Sequence, residues 1–217
     1  MQEHVTVTGM VIKSEPVGDY DRRVVILTAE RGKITAFAKG ARRPNSRFVA
    51  CTNSLSFGRF YLYEGRNSYS ITEAEIQNYF EELHGDIEGV YYAMYFLEIA
   101  DYYTRENNDE KEMLKLLYQS MRALLVPAID NKLVRAVYEI KSVVVNGEFR
   151  GVKSGSDYDG ATLYALDYII NSSIEKLYTF ALKEEVLKEL MQIAEYTSGY
   201  AYNTTFKSLE ILDTIIS

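Results

Sequence analysis

One cysteine, Cys51, stands in 217 residues, so the chain can close no internal disulfide and build no multi-cysteine zinc site. Such sparing use fits a reducing cytoplasm. Three prolines and thirteen glycines are too few for a collagen-like or linker-dominated architecture. No apolar run approaches the ~18–20 residues that span a bilayer, so no membrane segment is expected. The start, MQEHVTVTGM, has no basic stretch followed by an apolar core and does not read as a secretion signal. What is present is 47% apolar and 25% charged, the profile of a soluble globular chain with a core of its own.

Catalytic groupings are scarce too. The two histidines, His4 and His84, stand near no partner motif, and no G-x-S-x-G elbow occurs. Gly32-Lys33 lacks both the following hydroxyl and the upstream glycine of a phosphate-binding loop. Asp157-Tyr158-Asp159-Gly160 has the start of a calcium loop, yet the twelfth position would be Leu166 where a bidentate glutamate is needed. Carboxylates with the spacing of a metal-dependent nuclease are missing. The expectation is a protein without catalysis and without a cofactor.

Net charge is −7, but it is unevenly spread. Residues 1–80 hold 11 basic against 8 acidic side chains, and the remaining 137 hold 13 against 23. From Arg31 to Arg47 lie Arg31, Lys33, Lys39, Arg42, Arg43 and Arg47, with no acid among them. A basic front half beside an acidic back half points to a polyanion held by the front half.

The two halves also differ in period. Val5-Thr6-Val7-Thr8 opens an alternating run through Met10-Val11-Ile12, with Gly9 inside it as a bend. After a turn at Pro16–Asp19 come strands over Arg23–Thr28, Ile34–Ala38, Ser54–Tyr63 and Tyr69–Ala74, with turns at Glu30–Lys33 and Glu64–Asn67. Five strands in about eighty residues suit a small closed Greek-key barrel of the oligonucleotide-binding kind, a pattern that other five-stranded barrels share. Beyond residue 80 the spacing is helical: a stretch ending near Tyr103, one after Asn107-Asn108-Asp109 that Pro127 stops, and one capped by Asp130 and closed by Gly147. Residues 148–160 read as a loop, followed by helices over Ala161–Ile170, Glu175–Ala181, Glu184–Thr197 and from Thr204. The expected fold is α+β: an oligonucleotide-binding barrel over 1–80 and an all-helical bundle over 81–217.

Lys39-Gly40-Ala41-Arg42-Arg43-Pro44-Asn45-Ser46-Arg47 joins two strands and should project from a barrel rim. Such clusters bind phosphate backbones through charge and counterion release, without reading sequence. Charge runs are also common as merely solvated loops. Here glycine and proline shape the backbone, and Phe37, Phe48, Phe57, Phe60, Tyr61 and Tyr63 flank it, some to fill the barrel and others available for stacking on bases. The candidate DNA contacts are Lys39, Arg42, Arg43 and Arg47. Arg22, Arg23, Arg31, Lys33 and Arg66 are secondary candidates if turns gather at one end. Fourteen of the nineteen tyrosines fall in the helical half, where they read as packing.

Gly9-Met10-Val11-Ile12-Lys13-Ser14, Gly18-Asp19-Tyr20-Asp21-Arg22, Leu27–Ile34 and Ala38-Lys39-Gly40-Ala41-Arg42-Arg43-Pro44 with Ser46-Arg47 resemble the RecO family of bacterial DNA repair proteins. Leu163–Leu166, Glu175–Phe180 and Phe206–Leu212 resemble that family's carboxy-terminal helices. The resemblance implies a nucleoid-associated recombination mediator in the cytoplasm. It implies binding to single- and double-stranded DNA, annealing of complementary strands and, with RecR, loading of RecA onto DNA coated by single-stranded-DNA-binding protein. An adaptor whose helices dock proteins while the barrel binds little DNA is the alternative. The acidic tail of the single-stranded-DNA-binding protein is expected at Lys132 and Arg135, with Lys141 two turns on, beside Leu133 and Val137; the alternative is that these charges merely decorate a helix surface. Many family members carry a four-cysteine zinc module. Here that region is reduced to Asn146–Lys153 and a Gly-Ser loop, so no structural zinc is expected.

Overall fold

The computed structural model describes residues 4–66 and 68–215; Asn67, read from the sequence as a turn residue, lies outside them. The chain divides into two compact units, Met1–Glu81 with Ala100–Leu114, and Glu82–Ile99 with Lys115–Ser217.

In the first unit five strands close into a barrel: β1 (His4–Val17), β2 (Asp21–Thr28), β3 (Gly32–Ala38), β4 (Phe57–Glu64) and β5 (Tyr69–Asn78). Their order around the barrel is β1-β2-β3-β5-β4, and only β3 and β5 run parallel. This is the Greek-key barrel expected of the oligonucleotide-binding class. Alternation places the core: along β3, Ile34, Ala36 and Ala38 are buried while Lys33, Thr35 and Phe37 lie on the other face. Small Ala36, Ala38 and Ala41 share the interior with the large Phe60, Tyr69 and Ile71. Filling a small barrel needs that alternation of volume.

β1 is the long strand and serves two partners. It pairs with β4 from His4↔Tyr63 to Met10↔Phe57, and with β2 from Gly9↔Thr28 to Val17↔Asp21. Gly9 and Gly58 face one another where these ladders overlap. A Cβ on Gly9 would run into the Leu27 carbonyl oxygen, and one on Gly58 into that of Glu75. Both glycines are therefore there for close backbone approach.

The elements differ from the sequence reading at several ends. β1 continues through Pro16 and Val17, which the sequence assigns to a turn; Pro16 pairs with Arg22 close to the strand end. β4 begins at Phe57 rather than Ser54, because Leu55 takes a left-handed φ of 76° and its N–H bonds the Val11 carbonyl. Of the helix expected around Glu175–Ala181 there is only a 3-10 turn at Ile174–Lys176.

Six α-helices are described: α1 (Ile87–Tyr103), α2 (Lys111–Leu124), α3 (Asn131–Val145), α4 (Gly160–Asn171), α5 (Glu184–Ala201) and α6 (Lys207–Ile215). In the second unit α3 is central and packs on α4 and α5. The Asp130 side chain accepts the Lys132 N–H at its start, and Gly147 follows its end at φ 72°. The Phe96 and Tyr138 rings stack at 4.3 Å, and the Tyr138 hydroxyl donates to the Phe96 carbonyl at 2.9 Å. Tyrosines here do fill the core, although Tyr164 on α4 is 74% exposed.

The stretch Asn146–Lys153, where the family resemblance directs the search for a zinc module, offers no cysteine, and among the described residues no group of three or more His, Cys, Asp or Glu is placed to hold a metal. The residues present do not fit such a site. The loop is held from α5 instead: the Tyr200 hydroxyl accepts the Arg150 N–H at 3.0 Å beneath the Arg150 guanidinium, and the Glu189 carboxylate accepts from Asp159 N and the Thr162 hydroxyl.

Barrel closure through the paired glycines is testable. Gly9→Ala is expected to lower stability by about 1–3 kcal/mol, the usual penalty for forced overpacking. Urea unfolding measures it, and an unchanged midpoint would show that the backbones do not meet this closely.

Candidate nucleic-acid interface

The basic loop is a chain of tight turns, not an open excursion. Ala41 N bonds Ala38 O, Arg43 N bonds Gly40 O, Ser46 N bonds Arg43 O and Val49 N bonds Ser46 O. Gly40 at φ 66° and Asn45 at φ 59° supply the left-handed positions these turns need. Ala41 is fully buried in the barrel core, which turns its neighbours Arg42 and Arg43 outward.

Two links tie this loop to the β1–β2 turn. The Asp21 carboxylate accepts the Gly40 N–H at 2.7 Å, and Tyr20 O accepts the Arg42 N–H at 2.8 Å. The Arg42 guanidinium also donates to Gly18 O at 3.2 Å, and that of Arg43 lies 5.1 Å from the centre of the Tyr20 ring. A polar cleft of about 330 Å³ opens here, lined by Ser14, Pro16, Arg22, Arg42, Asn53 and Ser54. Arg22 donates to Asn53 Oδ1 at 2.6 Å, which orients its guanidinium along the cleft wall.

The sequence candidates separate into two groups. Lys39, Arg42, Arg43 and Arg47 are exposed, and among the described residues no carboxylate lies within ion-pair distance of any of them. Arg47 is partly committed, donating to Thr72 O at 2.7 Å with its guanidinium over Phe48. Arg22 joins this group through the cleft. Arg31 and Lys33 sit at the β2–β3 turn, the opposite end of that hairpin from Arg22 and Ala38. Their charges are answered, Arg31 by Glu64 at 3.6 Å and Lys33 by Asp101 at 3.0 Å. Arg23 pairs with Glu15 at 3.0 Å. Arg66 is exposed just past β4, whose last residue Glu64 is the partner of Arg31. The nine cations are not one patch.

In the second unit Lys132 is exposed and borders a groove of about 790 Å³ walled by Leu133, Phe180, Leu187 and Met191. Arg135 faces elsewhere: it pairs with buried Glu139 at 2.9 Å and Asp213 at 3.6 Å and lies over Tyr95. Lys141 is buried, its ammonium donating to the carbonyls of Ile169, Ile170 and Ser172 at the end of α4. The helical spacing that groups these three cations in sequence is overridden by partners from other helices. Cys51 is buried, and desolvation pushes its thiol up, away from nucleophile chemistry.

Sequence reasoning missed Tyr20, Ser14, Asn53 and Ser54. A tyrosine between two aspartates in a turn is the one signal that could have marked Tyr20, since turns rarely need a large ring.

Fold and surface together define a barrel protein of the oligonucleotide-binding class carrying a cationic loop whose charge goes unanswered. Residues 1–80 match the family described as Recombination protein O N terminal, and residues 84–149 match Recombination protein O C terminal. The chain is 27% identical to the DNA repair protein RecO of Clostridium perfringens, over 94% of this chain and 95% of that one. It is 25% identical to that of Acetivibrio thermocellus over 98% and 97%, and 30% identical to that of Alkaliphilus metalliredigens over 64% and 56%. The chain belongs to the RecO family, and its role lies in DNA repair and recombination.

Asp101 decides what Lys33 can do. Lys33 donates to the Asp101 carbonyl at 2.6 Å as well as to its carboxylate, and Lys13 reaches the other carboxylate oxygen at 2.7 Å. Partial burial would raise the Asp101 carboxyl, but the hydrogen bonds and charges of Lys13 and Lys33 outweigh it and hold it below its usual value. A carboxyl depressed by folding stabilises above its unfolded pKa, about 3.9, and loses that contribution as pH falls through the folded value. Asp101→Asn is therefore expected to cost about 1 kcal/mol near neutrality, with the gap to wild type closing in acid. Urea titrations at pH 7 and near pH 2.5 check this; a gap of equal size at both would contradict it.

Proposed function

We propose that this chain is a recombination mediator that acts by binding rather than by making or breaking bonds. The rim formed by Lys39, Arg42, Arg43, Arg47 and Arg22 holds the backbone of single- and double-stranded DNA, supporting annealing of complementary strands. With RecR it loads RecA onto DNA coated by single-stranded-DNA-binding protein. The observation that carries this reading is the unanswered charge of the loop on a rigid frame. The loop's cations stay available to phosphates, while the equally basic Arg23, Arg31 and Lys33 are neutralised within the unit. Counterion release from phosphates is the driving force such a surface supplies.

A second reading, that the helical unit docks partner proteins, has its own support in the groove beside Lys132. The acidic tail of the single-stranded-DNA-binding protein would place its apolar end between Leu133, Phe180 and Met191 and its carboxylates toward Lys132 and Lys188. Asp130 and Glu184 line the same groove and oppose that charge. Arg135 would contribute only by leaving Glu139.

The rim reading makes a quantitative claim. Each phosphate neutralised on a single strand contributes about −0.7 to the slope of log K against log salt, so four contacts give about −3. Arg42→Glu with Arg43→Glu is expected to weaken binding to any base sequence and flatten the slope by about 1.4 or more. A folded double variant with wild-type affinity and slope would remove the rim from the DNA site and favour the adaptor reading.

A further inference from the structure

Tyr20 is the one exposed tyrosine or phenylalanine among the described residues of the barrel unit, with 52% of its surface open. Phe37, Phe48, Phe57, Tyr61 and Tyr63, the rings the sequence set beside the basic loop, are half-buried, and Phe60 is in the core. A large ring left in water at a turn gains nothing from folding. Its backbone does carry a fold role, since its carbonyl accepts the Arg42 N–H, but any residue would supply that. The ring itself touches the loop through one contact, the Arg43 guanidinium over it.

That contact sits among groups suited to one nucleotide. The neighbouring cleft, about 330 Å³ with two guanidinium groups and no carboxylate in its lining, accepts a phosphate. A tyrosine face beside it accepts a base, because every base offers a π-face and stacking is indifferent to sequence. A base inside a duplex is already stacked on both sides and cannot meet the ring without being extruded. An unpaired base can. Asp19, exposed in the same turn, is the group that opposes a nearby phosphate, and the loop cations outnumber it.

We propose that Tyr20, backed by Arg43, is a stacking platform for an unpaired base and makes the barrel rim prefer single-stranded to double-stranded DNA. This rests on the reading of the rim as a DNA-backbone surface and adds a strand preference that charge alone does not give.

The test compares the wild-type chain, Tyr20→Ala and Tyr20→Phe, each titrated with a single-stranded oligonucleotide and with its duplex at several salt concentrations. Tyr20→Ala is expected to weaken single-strand binding about five- to hundredfold, the range for loss of one stacked base. Duplex affinity and both salt slopes should stay as they were, and Tyr20→Phe should keep single-strand affinity. Equal weakening on both substrates would overturn the proposal, since the ring would then act only by seating Arg43; so would no weakening on either. The Arg42→Glu/Arg43→Glu variant separates the two claims. If it loses binding while Tyr20→Ala does not, stacking fails and the rim stands. If it binds both substrates as wild type does, the rim fails and stacking with it.

Discussion

A single strand pairing on both edges at one place is the constraint from which the rest of the barrel follows. Around Gly9 and Met10, β1 is bonded to β2 on one side and β4 on the other, and Gly9 and Gly58 face each other there because neither backbone leaves room for a side chain. This overlap turns a sheet into a closed barrel with no free edge between β1 and β4. Closure then sets where the connections emerge. The β1–β2 turn and the loop after β3 leave the same end of the β2–β3 hairpin, since Val17 pairs with Asp21 and Arg22 pairs with Ala38.

That shared end makes a basic loop into a defined surface. Nine residues with four cations and no acid would repel themselves if left as a coil, and here hydrogen bonds to Asp21, Tyr20 and Gly18 hold them against the neighbouring turn. Asp21 supports this arrangement in a way that preserves the positive potential: its carboxylate is spent on a backbone N–H, not on an arginine. At the other end of the hairpin the carboxylates are spent differently. Glu64 and Asp101 face Arg31 and Lys33 directly, so similar side chains contribute to structure there and to potential here.

The pattern of strands and helices was legible because it depends on period and on local punctuation. Val24-Val25-Ile26-Leu27, Gly32, Asp130 and Gly147 each mean the same thing in sequence as in the fold. Element ends were less legible where distant backbone decides them: Leu55 leaves the strand because its N–H goes to Val11 on β1. Charge was the least legible property. Arg42 and Lys33 look alike in sequence, yet one is exposed with no carboxylate beside it and the other pairs with an aspartate 68 positions away. Lys141 illustrates the same limit, since an exposed-looking lysine on α3 is buried to satisfy the open carbonyls at the end of α4. Tyr20 was overlooked because its meaning comes from Arg43, which lies across a hairpin.

The account's central claim is that one end of the barrel meets DNA and the other does not. Amide hydrogen exchange with and without a saturating single-stranded oligonucleotide tests it most directly, because it reports on every turn at once. The account expects slowed exchange at residues 18–22, 39–47 and 53–54 and unchanged exchange at 31–33. Slowed exchange confined to 31–33 or to the helical unit, with the basic loop unaffected, would contradict it.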